Sequence, residues 1–299
     1  MRPRIALVSA RAARHLDEDL APLLAALDEA GAEAVVADWD DPGVDWDGFR
    51  LALLRSAWDY TERLAEFLAW ADRTSRLTTL LNPPAVVRWN TDKHYLRELA
   101  RAGVPTVPTR FVEPKEEAAR ALNGFLAQER AREWVVKPAV GAGSRDAARY
   151  ARGDEQAAVA HIERLLRAGR SVLLQPYLAQ VDRHGETALI YFGGRFSHAI
   201  RKGPLLRRGD APTDALFAEE HITPRTPAAE ELQVAERALA ALPFAPPLYA
   251  RVDEIRGEDG EPVLLELELT EPSLFFAHAP GAARRLAAQL CCQVPVLSR

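Results

Sequence analysis

The chain has 299 residues, of which 48% are hydrophobic and 27% charged, and its formal net charge is −5. This length suffices for two or three compact units. The mildly acidic balance gives no reason to expect binding to nucleic acid or to an anionic membrane. No apolar run is long enough to span a membrane, and the start, MRPRIALVSA, lacks the apolar region of a signal peptide. We therefore expect a cytoplasmic protein, in which the adjacent Cys291 and Cys292 stay reduced because a disulfide between neighbours would be strained.

The first part of the chain alternates short apolar strands with helices. Strands are predicted at Arg4–Ser9, Ala34–Ala37 and Phe49–Leu54. Helices are predicted over Asp17–Ala30, where leucines recur on one stripe, and over Thr61–Ser75. This alternation indicates a small parallel sheet, whose ligands usually lie beyond the carboxyl ends of the strands.

The loop Arg55–Tyr60 follows one of these strands. Arg55 could hold a carboxylate of a ligand, and Trp58 or Tyr60 could pack against a small molecule. An ordinary helix cap with surface aromatic residues explains the same pattern equally well.

Lysine is rare in this chain, which uses arginine for most of its positive charge. Of the 38 basic residues only four are lysines, namely Lys93, Lys115, Lys137 and Lys202. A retained lysine can mark a site that needs a compact ammonium group, although codon bias would also explain the arginine excess. Lys93 lies on a helix predicted over Asn90–Ala102, and Lys137 ends a strand that begins at Glu133.

A glycine-containing loop, Val140–Ser144, follows the strand that carries Lys137. Backbone N–H groups of such a loop can close over phosphates with help from a serine hydroxyl, but a plain hairpin turn has the same composition. Further along, Gln175–Leu178 leaves a strand, and Glu186–Phe192 pairs with Arg195–Lys202 as a hairpin. The polar segment from Gly203 to Thr226 shows no periodicity and is predicted to be a mobile loop or lid.

The segment Tyr249–Ser273 has the alternation and the turn residues of a β-hairpin. Because residues two apart point the same way in a strand, Arg251 and Asp253 share a face, as do Glu266 and Glu268. Clustered carboxylates repel one another unless a cation lies between them, and hard oxygen ligands suit Mg²⁺. An amphipathic hairpin with glutamates facing water is the alternative.

Taken in order, these features resemble the ATP-grasp superfamily of carboxylate ligases from about Val86 to Leu290. The features that carry the resemblance are Lys93, Lys137, the glycine loop Gly141–Ser144, the strand exit Gln175–Leu178, Glu186, the basic strand end Arg201–Lys202, the R-x-D pattern Arg251–Asp253 and the E-x-E pattern Glu266–Glu268. The predicted fold class is therefore α/β (α+β). It consists of an ATP-grasp fold preceded by a small parallel-sheet domain. The expected units are residues 1–85, a central lid subdomain at 86–179, and a metal-binding subdomain at 180–299.

The resemblance also implies roles for particular residues in binding ATP. Lys93 and Lys137 would hold the phosphates, with Lys137 also catalytic, under a flexible loop that includes Gly141, Gly143 and Ser144. The adenine pocket would be lined by Gln175, Tyr177 and Leu178. Glu186 would bind the ribose, and the basic strand end would supply Arg201 and Lys202.

The acidic hairpin would supply the metal site and a catalytic arginine. Asp253, Glu266 and Glu268 would bind two Mg²⁺ ions, and Arg251 would stabilise charge on the transferred phosphate or tetrahedral intermediate. Two departures from the superfamily pattern are Glu268, where many members have asparagine, and Gln175, where a glutamate is common.

Within the superfamily, the layout is most similar to the cyclo-ligases of D-cycloserine biosynthesis, through Arg55–Tyr60 and the run Glu266–Leu274. This similarity implies that a carboxylate of O-ureido-D-serine is phosphorylated and that an aminooxy nitrogen of the same molecule then closes the ring.

One alternative is an intermolecular ligase that joins a carboxylate to a separate amine. Another is a nucleotide-binding regulatory module, which would have little need of Arg251 and the acidic set together. The expected partner is a small amino-acid-like molecule, and a homodimer is a possible assembly.

Overall fold

The computed structural model describes residues 2–209 and 221–293. Its first sheet is parallel, with strand order β2-β1-β3-β4. These strands are β1 (Arg4–Ser9), β2 (Glu33–Asp38), β3 (Leu51–Ser56) and β4 (Thr79–Leu81). The helices α1 (Leu20–Glu29) and α2 (Leu64–Thr74) pack against this sheet, and α1 does so through the leucine stripe that the sequence predicted. The parallel sheet is confirmed, and β4 is a short strand that the sequence pattern did not indicate.

The second sheet is antiparallel, with order β5-β8-β6-β7. Its elements in chain order are β5 (Arg110–Val112), α5 (Ala118–Glu129), β6 (Glu133–Pro138), β7 (Ala148–Ala151), α6 (Glu155–Arg167) and β8 (Val172–Pro176). One face of this sheet packs against α5 and α6, which together bury a separate apolar core. The other side carries Lys137 and the exit of β8 towards the third sheet.

The helix predicted over Asn90–Ala102 begins later than expected, as α4 (Tyr95–Arg101), and a separate short helix, α3 (Pro84–Asn90), precedes it. Asn90 ends α3 because its side chain pairs with the distant hairpin: Nδ2 donates to the Leu267 carbonyl and Oδ1 accepts from the Leu269 N–H. Lys93 therefore lies in the break between two short helices, and its backbone N–H donates to Ala139 O at 2.9 Å.

The third sheet is antiparallel, with order β11-β10-β9-β12-β13. Its strands are β9 (Glu186–Phe192), β10 (Arg195–Lys202), β11 (Ile222–Arg225), β12 (Tyr249–Arg256) and β13 (Pro262–Glu268). The helices of this part are α7 (Val181–His184), α8 (Ala229–Ala240) and α9 (Ala282–Gln293). Both predicted hairpins are confirmed.

The segment predicted to be a mobile loop or lid, Gly203–Thr226, is only partly within the described residues. Residues 222–225 form β11, which pairs with β10, so this end of the segment is a strand and not a loop. Residues 210–220 lie outside the described part of the chain. Among the described residues, no helix is long and apolar enough to cross a membrane.

A shared apolar core joins the first sheet to the third. Residues of β1, β3 and α1 lie in the same buried cluster as residues of β9 and α9. Burial of such a surface is the dominant favourable contribution to packing, so the first domain is fixed against the sheet that carries the acidic hairpin. The edge where the three sheets meet is the place where the predicted site residues collect.

Candidate active site

A cavity lies between the second and third sheets, and the loop after β3 closes one end of it. Its walls include all the predicted site residues except Arg55, Tyr60 and Arg201. The residues brought together are Trp58, Lys93, Lys137, Gly141, Gly143, Ser144, Gln175, Tyr177, Leu178, Glu186, Lys202, Arg251, Asp253, Glu266 and Glu268. They come from segments more than 200 residues apart in the sequence, as Trp58 and Glu268 illustrate.

The acidic wall is set by the register of β12 and β13. Arg251 lies opposite Glu268, and Asp253 lies opposite Glu266. Arg251 Nη2 donates to Asp253 Oδ2 at 2.9 Å and also to the Glu268 carboxylate. Period-two alternation on two paired strands therefore places the three carboxylates and the guanidinium on one patch.

Three lysines face this patch. Lys93 Nζ lies 2.9 Å from Glu266 Oε1 and donates to Gly141 O at 2.7 Å. Lys202 Nζ donates to Glu186 Oε1 at 2.5 Å and to Asp253 Oδ2 at 3.1 Å. Lys137 lines the same cavity at the end of β6. The lysine ammonium groups and the carboxylates thus neutralise one another in a setting largely shielded from water.

Burial and ion pairing act in opposite directions on these groups. Burial favours the neutral acid, but Arg251 and Lys202 outweigh it and hold the pKa of Asp253 below its ordinary value. Lys93 and Lys137 likewise outweigh burial at Glu266 and lower its pKa. At Glu268, burial and the neighbouring Glu266 and Asp253 carboxylates prevail over Arg251 and raise the pKa to about 7.

The two phosphate-binding candidates differ in their electrostatic state. Burial lowers the pKa of Lys137, and the nearby Lys93 ammonium adds to this effect. For Lys93, burial acts in the same direction, but the adjacent Glu266 carboxylate outweighs it and raises the pKa. An anion placed between the two ammonium groups would stabilise both charges.

The loop after β6 forms a further wall of the cavity, and Lys93 links it to the acidic patch by contacting both Gly141 O and Glu266. At Gly143 the backbone φ is +61°, in the left-handed region that glycine adopts without steric cost. Arg170 anchors the loop by donating to the Val140 carbonyl at 3.1 Å and to Asp146 at 2.5 Å. Both Gly141 and Ser144 line the cavity, as a phosphate-covering loop requires.

The exit of β8 supplies the apolar end of the cavity. Leu178 is buried there, and the Arg149 guanidinium carbon lies 3.4 Å from the centre of the Tyr177 ring. The Gln175 side chain donates to Thr109 Oγ1 at 2.8 Å. Gln175, which stands where a glutamate is common in the superfamily, is thus held by a hydrogen bond within the protein.

Arg55 does not line the cavity, which contradicts the prediction that it pairs with an anionic group of the substrate. Its side chain is fully buried, and Nη2 lies 3.3 Å from Asp19 Oδ2 and 3.5 Å from Asp17 Oδ1. Its Nη1 donates to the Pro272 carbonyl at 3.0 Å. Arg55 therefore acts on the site only through the loop that follows β13.

Arg201 and Tyr60 also lie outside the cavity walls. Arg201 points away because its neighbour Lys202 takes the inward position on β10, and its guanidinium donates to the backbone carbonyls of Arg183 and His184. Tyr60 is buried behind the wall and stacks on Phe67, and its hydroxyl hydrogen-bonds Glu271.

Among the cavity residues that sequence reasoning did not single out are Glu271 and Ser273. Both belong to the loop after β13, and Arg251 Nη1 donates to the Ser273 carbonyl at 3.2 Å. The available signal was their position just after the E-x-E pattern, in the run that resembles the cyclo-ligases. A single glutamate in a polar loop gives no periodic pattern that would distinguish it from a solvated one.

The donor set fits Mg²⁺ in its chemistry. Carboxylate oxygens are the ligands that this hard cation prefers, and these carboxylates line the same cavity as the glycine-containing loop after β6. Within residues 2–209 and 221–293, however, no group of three such side chains is already arranged to hold a metal ion. Lys93, Lys202 and Arg251 occupy the positions beside these carboxylates.

Similarity to known proteins extends over nearly the whole chain. Residues 5–82 match the family model described as the N-terminal domain of D-cycloserine synthetase DcsG. The chain is 44% identical to the cycloserine biosynthesis protein DcsG of Streptomyces lavendulae, over 96% of this chain and 97% of that protein. The crystal structure of D-cycloserine synthetase DcsG superposes with a TM-score of 0.92 at 42% identity, covering 98% of this chain and all of that one.

More distant solved structures share the fold alone. The ATP-grasp ligase PsnB, in complex with a minimal precursor, has a TM-score of 0.66 at 20% identity and covers 98% of this chain and all of PsnB. D-alanine–D-alanine ligase from Bacillus anthracis has a TM-score of 0.65 at 17% identity, over 97% of this chain and 96% of that one. With a relative 44% identical along nearly its whole length, the chain belongs to the DcsG family of D-cycloserine synthetases, which has the ATP-grasp fold.

Proposed function

We propose that the protein is an ATP- and Mg²⁺-dependent carbon–nitrogen ligase that converts O-ureido-D-serine into D-cycloserine. The observation that carries this proposal is the cavity itself. It joins Lys93 and Lys137 to the Arg251, Asp253, Glu266 and Glu268 patch in a chain 44% identical to DcsG. The three sheets also support the proposed division into units at residues 1–85, 86–179 and 180–299.

Each proposed nucleotide contact follows from a position in the cavity. Lys93 and Lys137 would bind phosphate oxygens, with Gly141, Gly143 and Ser144 closing over them. The adenine would lie against Tyr177 and Leu178 at the exit of β8, beside Gln175. Glu186, at the start of β9, would accept hydrogen bonds from the ribose hydroxyls. These positions extend from residue 93 to residue 186 in the sequence, yet all of them line the same cavity.

Asp253, Glu266 and Glu268 are the residues that would hold Mg²⁺, and we propose two ions. When bound, the metal supplies positive charge beside the phosphate oxygens. Its binding requires the present ion pairs to rearrange, because Lys93 and Lys202 now neutralise two of these carboxylates. Nucleotide phosphates offer both lysines a replacement partner, so nucleotide and metal should bind together more favourably than either alone.

The chemistry that these residues would support has two steps at the substrate carboxylate, and loss of the carbamoyl group completes it. A carboxylate oxygen of the substrate attacks the γ-phosphorus, and ADP leaves. The aminooxy nitrogen of the same molecule then attacks the acyl carbon and loses a proton, and phosphate leaves as the ring closes. Water cleaves the bond between the ring nitrogen and the carbamoyl carbon, and the carbamoyl group is released as carbon dioxide and ammonia. Arg251, which can donate to both phosphate and carbonyl oxygens, stabilises the charge that develops in each step.

A carboxylate is a poor acyl donor, and phosphorylation supplies a good leaving group. The acyl phosphate would be lost to hydrolysis in open water, so a covered cavity is needed. Trp58 and Leu178, which are both buried, give the cavity apolar walls. Ring closure within one molecule then benefits from the high effective molarity of well-oriented groups.

Two measurements test this proposal. Thermal unfolding with ATP and Mg²⁺ should show a raised midpoint that EDTA largely abolishes, because a ligand bound only by the folded state stabilises it. Incubation with O-ureido-D-serine, ATP and Mg²⁺ should yield the isoxazolidinone ring by mass spectrometry. An unchanged midpoint would refute the nucleotide site. ADP release without the ring, and only in the presence of a separate amine, would assign the protein to the intermolecular ligases.

A further inference from the structure

Among the described residues, five carboxylic acids line the cavity, and four of them are paired with cations. Lys93 pairs with Glu266, Lys202 pairs with Glu186 and Asp253, and Arg251 pairs with Glu268. The fifth is Glu271, which makes no ion pair within the described residues and accepts a hydrogen bond from the neutral Tyr60 hydroxyl. The residue is 6% exposed. A buried carboxylate without a cationic partner is costly, and a cation from a ligand would relieve that cost.

The surroundings of Glu271 hold it in place. Trp58 Nε1 donates to the Glu271 carbonyl at 3.0 Å, and Arg55 donates to the next carbonyl, that of Pro272, at 3.0 Å. Behind Glu271, the Tyr60 ring stacks on Phe67 with 5.1 Å between the ring centres. Both the backbone and the carboxyl group of Glu271 are thus fixed from the first domain, as the precise placement of a substrate group requires.

Glu271 also lies next to the residues proposed to act on the reacting carboxylate. It is three residues beyond Glu268, and Arg251 reaches the carbonyl of Ser273 in the same loop at 3.2 Å. In an α-amino acid, the ammonium and carboxylate groups are attached to the same carbon. A pocket that holds the carboxylate at Arg251 must therefore hold the ammonium a few ångströms away.

We propose that Glu271, oriented by Tyr60, binds the α-ammonium group of the amino-acid substrate. This inference rests on the proposed function, which supplies an amino acid as the substrate class. Burial, followed by the charge of Glu268, raises the pKa of Glu271 to about 8 in the ligand-free site. An ammonium group bound beside it would favour the ionised carboxylate, so the pair forms as the substrate enters.

The test combines a change in the protein with a change in the substrate. The substrates are O-ureido-D-serine and its des-amino counterpart, 3-(ureidooxy)propanoic acid, and the proteins are the wild type, Glu271→Gln and Glu261→Gln. Glu261 is exposed on the turn of the same hairpin and serves as the control. The readouts are kcat/KM for ADP release and the thermal midpoint with ATP and Mg²⁺, which reports folding and nucleotide binding independently of the substrate.

For the wild type and Glu261→Gln, loss of the ammonium group should lower kcat/KM by about 30-fold or more, as for other buried charge pairs that lose one partner. For Glu271→Gln, the two substrates should differ by no more than about threefold, because the partner of the ammonium is already absent. Tyr60→Phe should give an intermediate ratio. An equal penalty in wild type and Glu271→Gln, with an unchanged midpoint, would overturn the proposal.

Failure of the proposed function would look different. If the wild type releases ADP with another amino acid and not with O-ureido-D-serine, the cyclo-ligase assignment is wrong. The same comparison can then be made with that amino acid and its des-amino counterpart. If Glu271 binds the ammonium group, Glu271→Gln should still use that amino acid and its des-amino counterpart with similar kcat/KM.

Discussion

Arg55 and Asp19 form a buried ion pair, with 3.3 Å between Nη2 and Oδ2, and this pair holds the loop that follows the acidic hairpin. The same Asp19 carboxylate accepts the backbone N–H groups of Leu274, Phe275 and Phe276 at 2.6–3.2 Å. Phe275 has a positive φ of 54°, an uncommon conformation for a residue with a side chain. The first domain thus fixes one wall of the active site through charge and backbone hydrogen bonds.

Replacing Arg55 by methionine should reduce stability strongly. It leaves Asp17 and Asp19 buried without their cation, and breaking a buried pair in this way costs about 3–5 kcal/mol. The measurement is the free energy of unfolding in urea. The control is Arg284→Met, which removes an exposed ion pair with Glu29. Similar stabilities for the two variants would show that Arg55 is not the anchor described here.

Glu268→Gln should lower turnover by about 100-fold or more while leaving the fold intact, because it removes a charge from the acidic patch without opening a cavity. The comparison variant is Glu261→Gln, exposed on the same hairpin. ADP release should be measured across a range of Mg²⁺ concentrations. Normal activity and normal metal dependence in Glu268→Gln would indicate an ordinary amphipathic hairpin.

Lys137→Ala should damage catalysis by about 100-fold, whereas Lys115→Ala should have little effect, since exposed charges contribute little. Lys137 lines the cavity beside the glycine loop, and Lys115 is exposed just before α5. The measurement is kcat/KM for ATP in each variant. Equal values would contradict the assignment of Lys137 to the phosphates.

Glu254 should make stability depend on pH. Burial and the nearby Glu231 raise its pKa to about 9, and both side-chain oxygens lack a hydrogen-bond partner among the described residues. Since the folded state holds this proton more tightly than the unfolded chain, stability falls as the pH rises from the ordinary carboxyl value towards about 9. Glu254→Gln should stabilise the protein, with a gain at least about 1 kcal/mol larger at about pH 8.5 than at about pH 6.

Unfolding in urea at the two pH values measures this effect. The control is Glu258→Gln, in the exposed turn between β12 and β13. If the stability gain from Glu254→Gln is the same at both pH values, Glu254 does not hold a proton in the folded state.

Local pattern was sufficient to predict the acidic hairpin. Strict alternation on both strands and the turn residues between them predicted that Arg251 shares a face with Asp253 and that Glu266 shares a face with Glu268. The register of the two strands shows that these faces coincide. The parallel sheet at the start of the chain was predictable for the same reason, since its strands and helices have clear periodicities.

Features that depend on distant partners were not predictable from local pattern. Asn90 interrupts a helical segment because it bonds to β13, about 180 residues away. Arg55 lies at a strand end where ligands often bind, yet its partners are Asp19 and the Pro272 carbonyl. The convergence of Lys93 on Glu266 could be expected only from the resemblance to a known fold.

The most direct test of the central claim is the ratio of ring product to ADP in a reaction that contains O-ureido-D-serine, ATP and Mg²⁺ but no added amine. The cyclo-ligase account predicts one D-cycloserine for each ADP released, with ADP release saturating in this single organic substrate. ADP release that occurs only when a separate amine is supplied, without formation of the ring, would contradict it.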